Sequence, residues 1–135
     1  MLALPSGELH SLCRKGNIPA IECYLQGIED VNKLDEKLGF LGFTPLHEAT
    51  FNSQTSVIRV LLRHGANPNA QANGAYTPLH IAASMNNTDC VVELLRNNAD
   101  ITKKDEFGNT AYDTAMINKS NRVARILKSE GKYRS

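Results

Sequence analysis

The imidazoles and thiols of this sequence, which bind transition metals and can act as nucleophiles, number seven: His10, His47, His64 and His80, with Cys13, Cys23 and Cys90. A zinc site would need several of them with donor atoms about 2 Å from one ion. Three of the histidines share a setting, Leu9-His10, Leu46-His47 and Leu79-His80, at intervals of 37 and 33 residues. If the shared setting marks equivalent helices packed side by side, their axes lie roughly 8–10 Å apart, too far for one ion. His64 falls at an expected helix end, where an imidazole is solvated or offsets the helix dipole. No cysteine stands in a C-x-x-C pair, so neither redox nor zinc work is indicated. Cys13 and Cys90 occupy apolar helix positions, Cys90 where Val57 stands 33 residues earlier. A nucleophile there would be sealed in the core, and the free thiols are read as buried ones in a reducing compartment. No G-x-S-x-G, H-E-x-x-H or phosphate-cradling glycine loop is present. The expectation is therefore no catalytic residue, no metal, no cofactor and no small-molecule substrate.

The elements that hold these residues are marked by a repeat. Thr44-Pro45-Leu46-His47-Glu48-Ala49 returns 33 residues later as Thr77-Pro78-Leu79-His80-Ile81-Ala82, and an eroded copy, Thr110-Ala111-Tyr112-Asp113-Thr114-Ala115, comes after another 33. The proline suits a first helical turn, the threonine hydroxyl can cap it, and the leucine and alanine point inward. With T-P-L-H-x-A heading a 33-residue period, the chain resembles the ankyrin-repeat family, whose unit is a turn plus two helices. The resemblance spans nearly the whole chain and is strongest over residues 44–110. It implies an all-α fold, an ankyrin-repeat solenoid of stacked helix-turn-helix units with short β-hairpin-like fingers. It also implies that the pattern histidines hydrogen-bond within and between turns, and that Asn32 and Asn69 are finger turn residues of a kind sometimes hydroxylated.

One domain, 1–135, is expected, with repeats near 6–38, 40–72, 73–105 and 106–135, the outer two acting as caps. In the first unit Ser6-Gly7 precede a helix, Arg14-Lys15-Gly16-Asn17 supply a turn, and Pro19 opens a second helix. The second unit has helices over Thr44–Thr50 and Val57–Leu62, the latter with Val57, Ile58, Leu61 and Leu62 on one face. Cys90, Val91, Leu94 and Leu95 repeat that stripe. In the fourth unit it becomes Val123, Ala124, Leu127 and Lys128, as a cap with one side open to water requires. Gly65 and Asn98 suit left-handed helix ends. Asn32 to Thr44 is 12 positions where Asn69 to Thr77 is 8, so the first finger carries four extra residues. Ala75 stands where the family more often has glycine. Lys132-Tyr133-Arg134-Ser135 is expected to be a tail.

Composition agrees with a folded domain: 135 residues, 41% hydrophobic and 21% charged. A net charge of +1 offers no global attraction to nucleic acid or an anionic membrane. No run approaches the roughly 20 apolar residues of a membrane span, and Met1-Leu2-Ala3-Leu4-Pro5 lacks the features of a signal peptide. A cytoplasmic or nuclear location is expected.

The resemblance further places partner contacts on the finger tips and on the inner surface of each unit's first helix. Here these positions are Phe40, Leu41, Phe43, Phe51 and Asn52, then Asn73, Gly74, Tyr76, Ser84 and Met85, then Glu106, Phe107, Asn109, Ile117 and Asn118. All four phenylalanines fall among them, and none falls on the core expected between helices. Aromatic and Met side chains are enriched in protein interfaces. The expected partner is another protein, held on a concave face with its apolar centre near the long first finger, although Phe43 and Tyr76 can also pack beneath adjacent turns. The alternative is a nucleic-acid or anionic-surface site on the C-terminal helix, from Lys119, Arg122, Arg125, Lys128, Lys132 and Arg134. Lys119, Arg122 and Arg125 recur at threes, but no aromatic interleaves them to stack on bases.

Overall fold

A computed structural model of the chain describes residues 7–27 and 34–134, the side chains of 132–134 excepted. Its eight described helices form four consecutive pairs: α1 (Glu8–Lys15) with α2 (Ile18–Gln26), α3 (Pro45–Phe51) with α4 (Thr55–Arg63), α5 (Pro78–Ser84) with α6 (Thr88–Arg96), and α7 (Ala111–Ile117) with α8 (Asn121–Arg134). The first helices stack in the order α1, α3, α5, α7 and the second helices in the order α2, α4, α6, α8. Two helical layers result. Ser6 and Asn32 lie outside the described residues.

α3, α5 and α7 have seven residues each, far below the length at which an isolated helix is stable. Their ends are therefore tied. Thr44, Thr77 and Thr110 each accept a hydrogen bond at the hydroxyl from the N–H three residues on, and the side chain there returns to the threonine N–H, a reciprocal capping box. In the second and third units that returning group is histidine. The Thr44 N–H donates to His47 Nδ1 at 3.2 Å, so Nδ1 is the acceptor and Nε2 carries the proton. Nε2 then donates to the Tyr76 carbonyl at 2.8 Å, in the next unit. His80 repeats the arrangement onto the Asn109 carbonyl at 2.8 Å. His10 reaches the Phe43 carbonyl at 2.9 Å and the Glu36 carbonyl at 2.8 Å. Asp113 closes the Thr110 cap through Oδ2 at 3.0 Å, but its carboxylate has no N–H to donate onward.

The second-helix stripes are buried as the period requires, Val57, Ile58, Leu61 and Leu62 in α4 and Cys90, Val91, Leu94 and Leu95 in α6. In α8 Val123, Ala124 and Leu127 are buried and Lys128 is exposed. α8 runs on to Arg134, through the stretch that the sequence marks as a tail. Lys119 sits in the turn before α8 at φ 57, in register with Ser53 and Asn86, and so does not share a helix face with Arg122 and Arg125. Cys23 is exposed, unlike the two core thiols.

Each finger is closed by backbone pairing: Leu38 with Phe43 in both directions, the Ala72 N–H onto the Tyr76 carbonyl, and the Asp105 N–H onto the Asn109 carbonyl. Of the four extra residues in the first finger, one falls between Leu38 and Phe43. The other three precede Leu38, in the stretch that turns Leu34 into the main core. Adjacent fingers are joined edge to edge, the Asn73 N–H on the Leu41 carbonyl at 3.0 Å and the Glu106 N–H on the Gly74 carbonyl at 2.9 Å. Asn69 accepts from the Asp100 N–H at 2.6 Å, linking successive turns.

Gly42 and Gly108 take φ 66 and 79 two residues before their threonines, and Ala75 holds the same place at φ 64. The left-handed backbone costs a residue with a Cβ about 1–2 kcal/mol, whereas glycine adds about 0.4–1 kcal/mol of unfolded-state entropy. Ala75→Gly should therefore stabilise the fold by about 0.5–1 kcal/mol in urea unfolding. A second expectation concerns pH. Burial holds His47 down at about 4 against an ordinary 6.5, although the Tyr76 carbonyl pulls the other way. Above pH 6.5 it is neutral in both states and its contribution is complete. Between there and about 4 the unfolded chain binds a proton that the folded chain refuses, and up to about 3 kcal/mol is lost. The stability gap between wild type and His47→Ala should be widest at pH 7 and narrow steadily as the pH approaches 4.

Candidate partner-binding concavity

Two rows of side chains, each at 33-residue intervals, face one another across the inner surface. The ends of α3, α5 and α7 carry Phe51, Ser84 and Ile117, and the finger tips carry Leu41, Gly74 and Phe107. In the second and fourth units both positions are large and apolar. In the third both are small. The result is a notch of about 450 Å³ centred on the third unit, lined by Leu41, Phe43, Phe51, Asn73, Tyr76, His80, Ile81, Ser84, Asp105, Phe107, Asn109, Thr114, Ile117 and Asn118.

Its floor is built on the histidine ladder. Phe43, Ala72 and Ile81 form a small buried cluster apart from the main core. Phe43 stacks on the His47 ring at 5.3 Å and 14°, and meets Phe51 at 5.9 Å. Tyr76 lies edge-on to His80 at 6.2 Å. His47 and His80 thus serve as platforms for the aromatic rings above them.

The notch offers no open charge among its lining residues. Asp105 is buried and accepts from the N–H groups of Phe107 and Asn109 at 2.9 and 3.0 Å, holding its own finger in shape. Both ring nitrogens of His80 are engaged. What faces outward is apolar surface edged with Ser84, Asn109 and Asn118. Such a surface recognises shape and apolar area, not charge.

Ten of the residues read from the sequence come together here: Leu41, Phe43, Phe51, Asn73, Tyr76, Ser84, Phe107, Asn109, Ile117 and Asn118. Phe40, Asn52, Met85 and Glu106 do not line it; Phe40 stands 94% exposed at a finger tip. The depression lies over the third unit, with Leu41 and Phe43 of the long first finger forming part of its wall. Phe43 is core to the fingers, at 8% exposure, because the hairpin turns it inward over His47. His80, Ile81, Asp105 and Thr114 also line the notch, and sequence reasoning does not place them there. Ile81 had a legible signal, an apolar residue where the second unit carries Glu48 in the variable position of T-P-L-H-x-A.

No group of three metal-ligating side chains converges among the described residues. Burial, with Glu48 adding a smaller effect, pushes the Cys13 thiol up to about 12, and burial likewise raises Cys90. Neither becomes a thiolate near neutral pH. No described helix is long and apolar enough to cross a membrane.

A family model described as ankyrin repeats in three copies matches residues 9–105 and again 72–134. The chain belongs to the ankyrin-repeat family. It is also similar to Scaffold protein ILK from Homo sapiens, Mus musculus and Cavia porcellus, at 35% identity over 68 residues. That match takes in 50% of this chain and 14% of each relative. The solenoid with its fingers is thus established independently by period, geometry and family.

The two phenylalanines nearest the floor should separate in their effects on this ankyrin-repeat fold. Phe43→Ala removes a buried ring and should cost about 3 kcal/mol in guanidinium unfolding. Phe51, 52% exposed, should cost under about 1 kcal/mol when replaced by alanine.

Proposed function

We propose that this chain is a non-catalytic protein-interaction module, an adaptor, scaffold or inhibitor, that seats a partner protein in the concavity. One bulky apolar side chain of the partner fills the notch over the third unit, between Phe51 and Ile117 and beneath Phe107. Phe40, Met85 and Glu106 contact the same partner from the rim, with Asn52 beside them. The observation that carries this reading is the paired smallness of Ser84 and Gly74 between neighbours that are both large. Apolar area left open on a framework whose own cores are filled marks an interaction surface, and anchors of this kind supply most interface energy.

Family membership supports a protein partner, as does similarity to relatives named as scaffold proteins. The two buried free thiols fit work in a reducing compartment, cytoplasm or nucleus.

The test is a nuclease-treated pull-down from cell extract, read by mass spectrometry, with wild type beside Ser84→Phe and Phe40→Ala/Phe51→Ala. Ser84→Phe installs what the second unit already carries at that register, so it fills the notch without disturbing the helix. Proteins held by the wild type and reduced at least tenfold in both variants are expected. Equal retention by all three, or retention that disappears with nuclease, would overturn the proposal.

A further inference from the structure

We propose that the open face of α7 and α8 is a second docking surface, separate from the concavity, which takes an acidic amphipathic helix of a protein partner. The 33-residue register locates it. In the second and third units, each with another helix pair stacked after it, Leu46 and Leu79 are buried, as are Thr50 and Ala83, Ile58 and Val91, and Leu62 and Leu95. One register on, these positions are Tyr112, Met116, Ala124 and Lys128, and no described helix pair covers them. A groove of about 260 Å³ opens there, lined by the same four with Asn121 and Arg125.

Its two walls differ in chemistry. The α7 wall is apolar, with Tyr112 half-buried and Met116 54% exposed. The α8 wall is cationic: Arg125 and Lys128 line the groove, Arg122 is exposed on the same helix, and no carboxylate is among the lining residues. Ala124 stands where Ile58 and Val91 stand, and its small side chain gives the groove its depth. Apolar surface beside a row of cations is complementary to a helix with an apolar stripe flanked by acids. A nucleic acid would use the cations but would leave Met116 and Tyr112 without a counterpart. The docked helix packs as a further repeat helix would, at the roughly 8–10 Å of helices in contact.

The test is an amide NMR titration of the isotope-labelled chain with synthetic helical peptides that share one leucine stripe and differ in having glutamate or lysine flanks, with duplex DNA as a third probe. The glutamate peptide should shift the signals of Tyr112, Met116, Ala124 and Arg125 and leave those of Phe51 and Ser84 in place. Arg125→Glu/Lys128→Glu should weaken it at least tenfold, and Met116→Ser about fivefold. These side chains are exposed, so thermal melting should be unchanged and binding loss can be read as loss of contact. The lysine peptide should cause no shift. Equal binding of both peptides, shifts confined to the concavity, no shift at all, or indifference to Met116→Ser would each overturn the proposal. DNA binding that survives Met116→Ser and fails on charge reversal would assign α8 to phosphate instead.

Discussion

The imidazole of His47 holds two units at once, accepting at Nδ1 from the cap of its own helix and donating at Nε2 to the carbonyl of Tyr76 in the next. The joint between the second and third units depends on that neutral, singly protonated ring. It fixes the helix start, and through the carbonyl it fixes where the next finger begins. Burial is what holds its titration low, and a second proton would in addition set an N–H against the Thr44 N–H. Burial and hydrogen bonding here act on one atom pair, not on a diffuse core.

Because the ladder fixes spacing so firmly, the rows that line the concave face differ from unit to unit in side-chain volume. The concavity arises this way, with identical backbone positions carrying Phe51, Ser84 and Ile117. So does the groove at the far end, where Ala124 succeeds Ile58 and Val91 in register. A repeat protein can thus create a depression anywhere along its length by placing a small residue between two large ones, at no cost to its frame.

The caps and helices were legible because their signals are local: a threonine, a proline and a histidine within four positions dictate a helix start whatever surrounds them. The stripes of α4 and α6 were legible through their period. Phe43 was not assignable to core or rim, since the same finger position points either way depending on how the hairpin folds back, and the extra residues of the first finger alter that. Lys119 reads as part of α8 because nothing about a lysine announces a left-handed turn. The rows of the candidate site were readable from the repeat, but the notch was not, because it is made of missing volume. Tyr112 reads as part of an eroded pattern, and only the fold brings it beside Arg125 and Lys128.

The ladder also has a direction. His47 and His80 each bond a carbonyl 29 residues later in the chain, and His10 one 33 residues later. As the polypeptide emerges during synthesis, a unit therefore carries an unsatisfied donor until the finger after it has been made. Each repeat with a histidine is completed by its successor. In the fourth unit the position is filled by Asp113, whose carboxylate closes its own cap and leaves no donor waiting for a later segment.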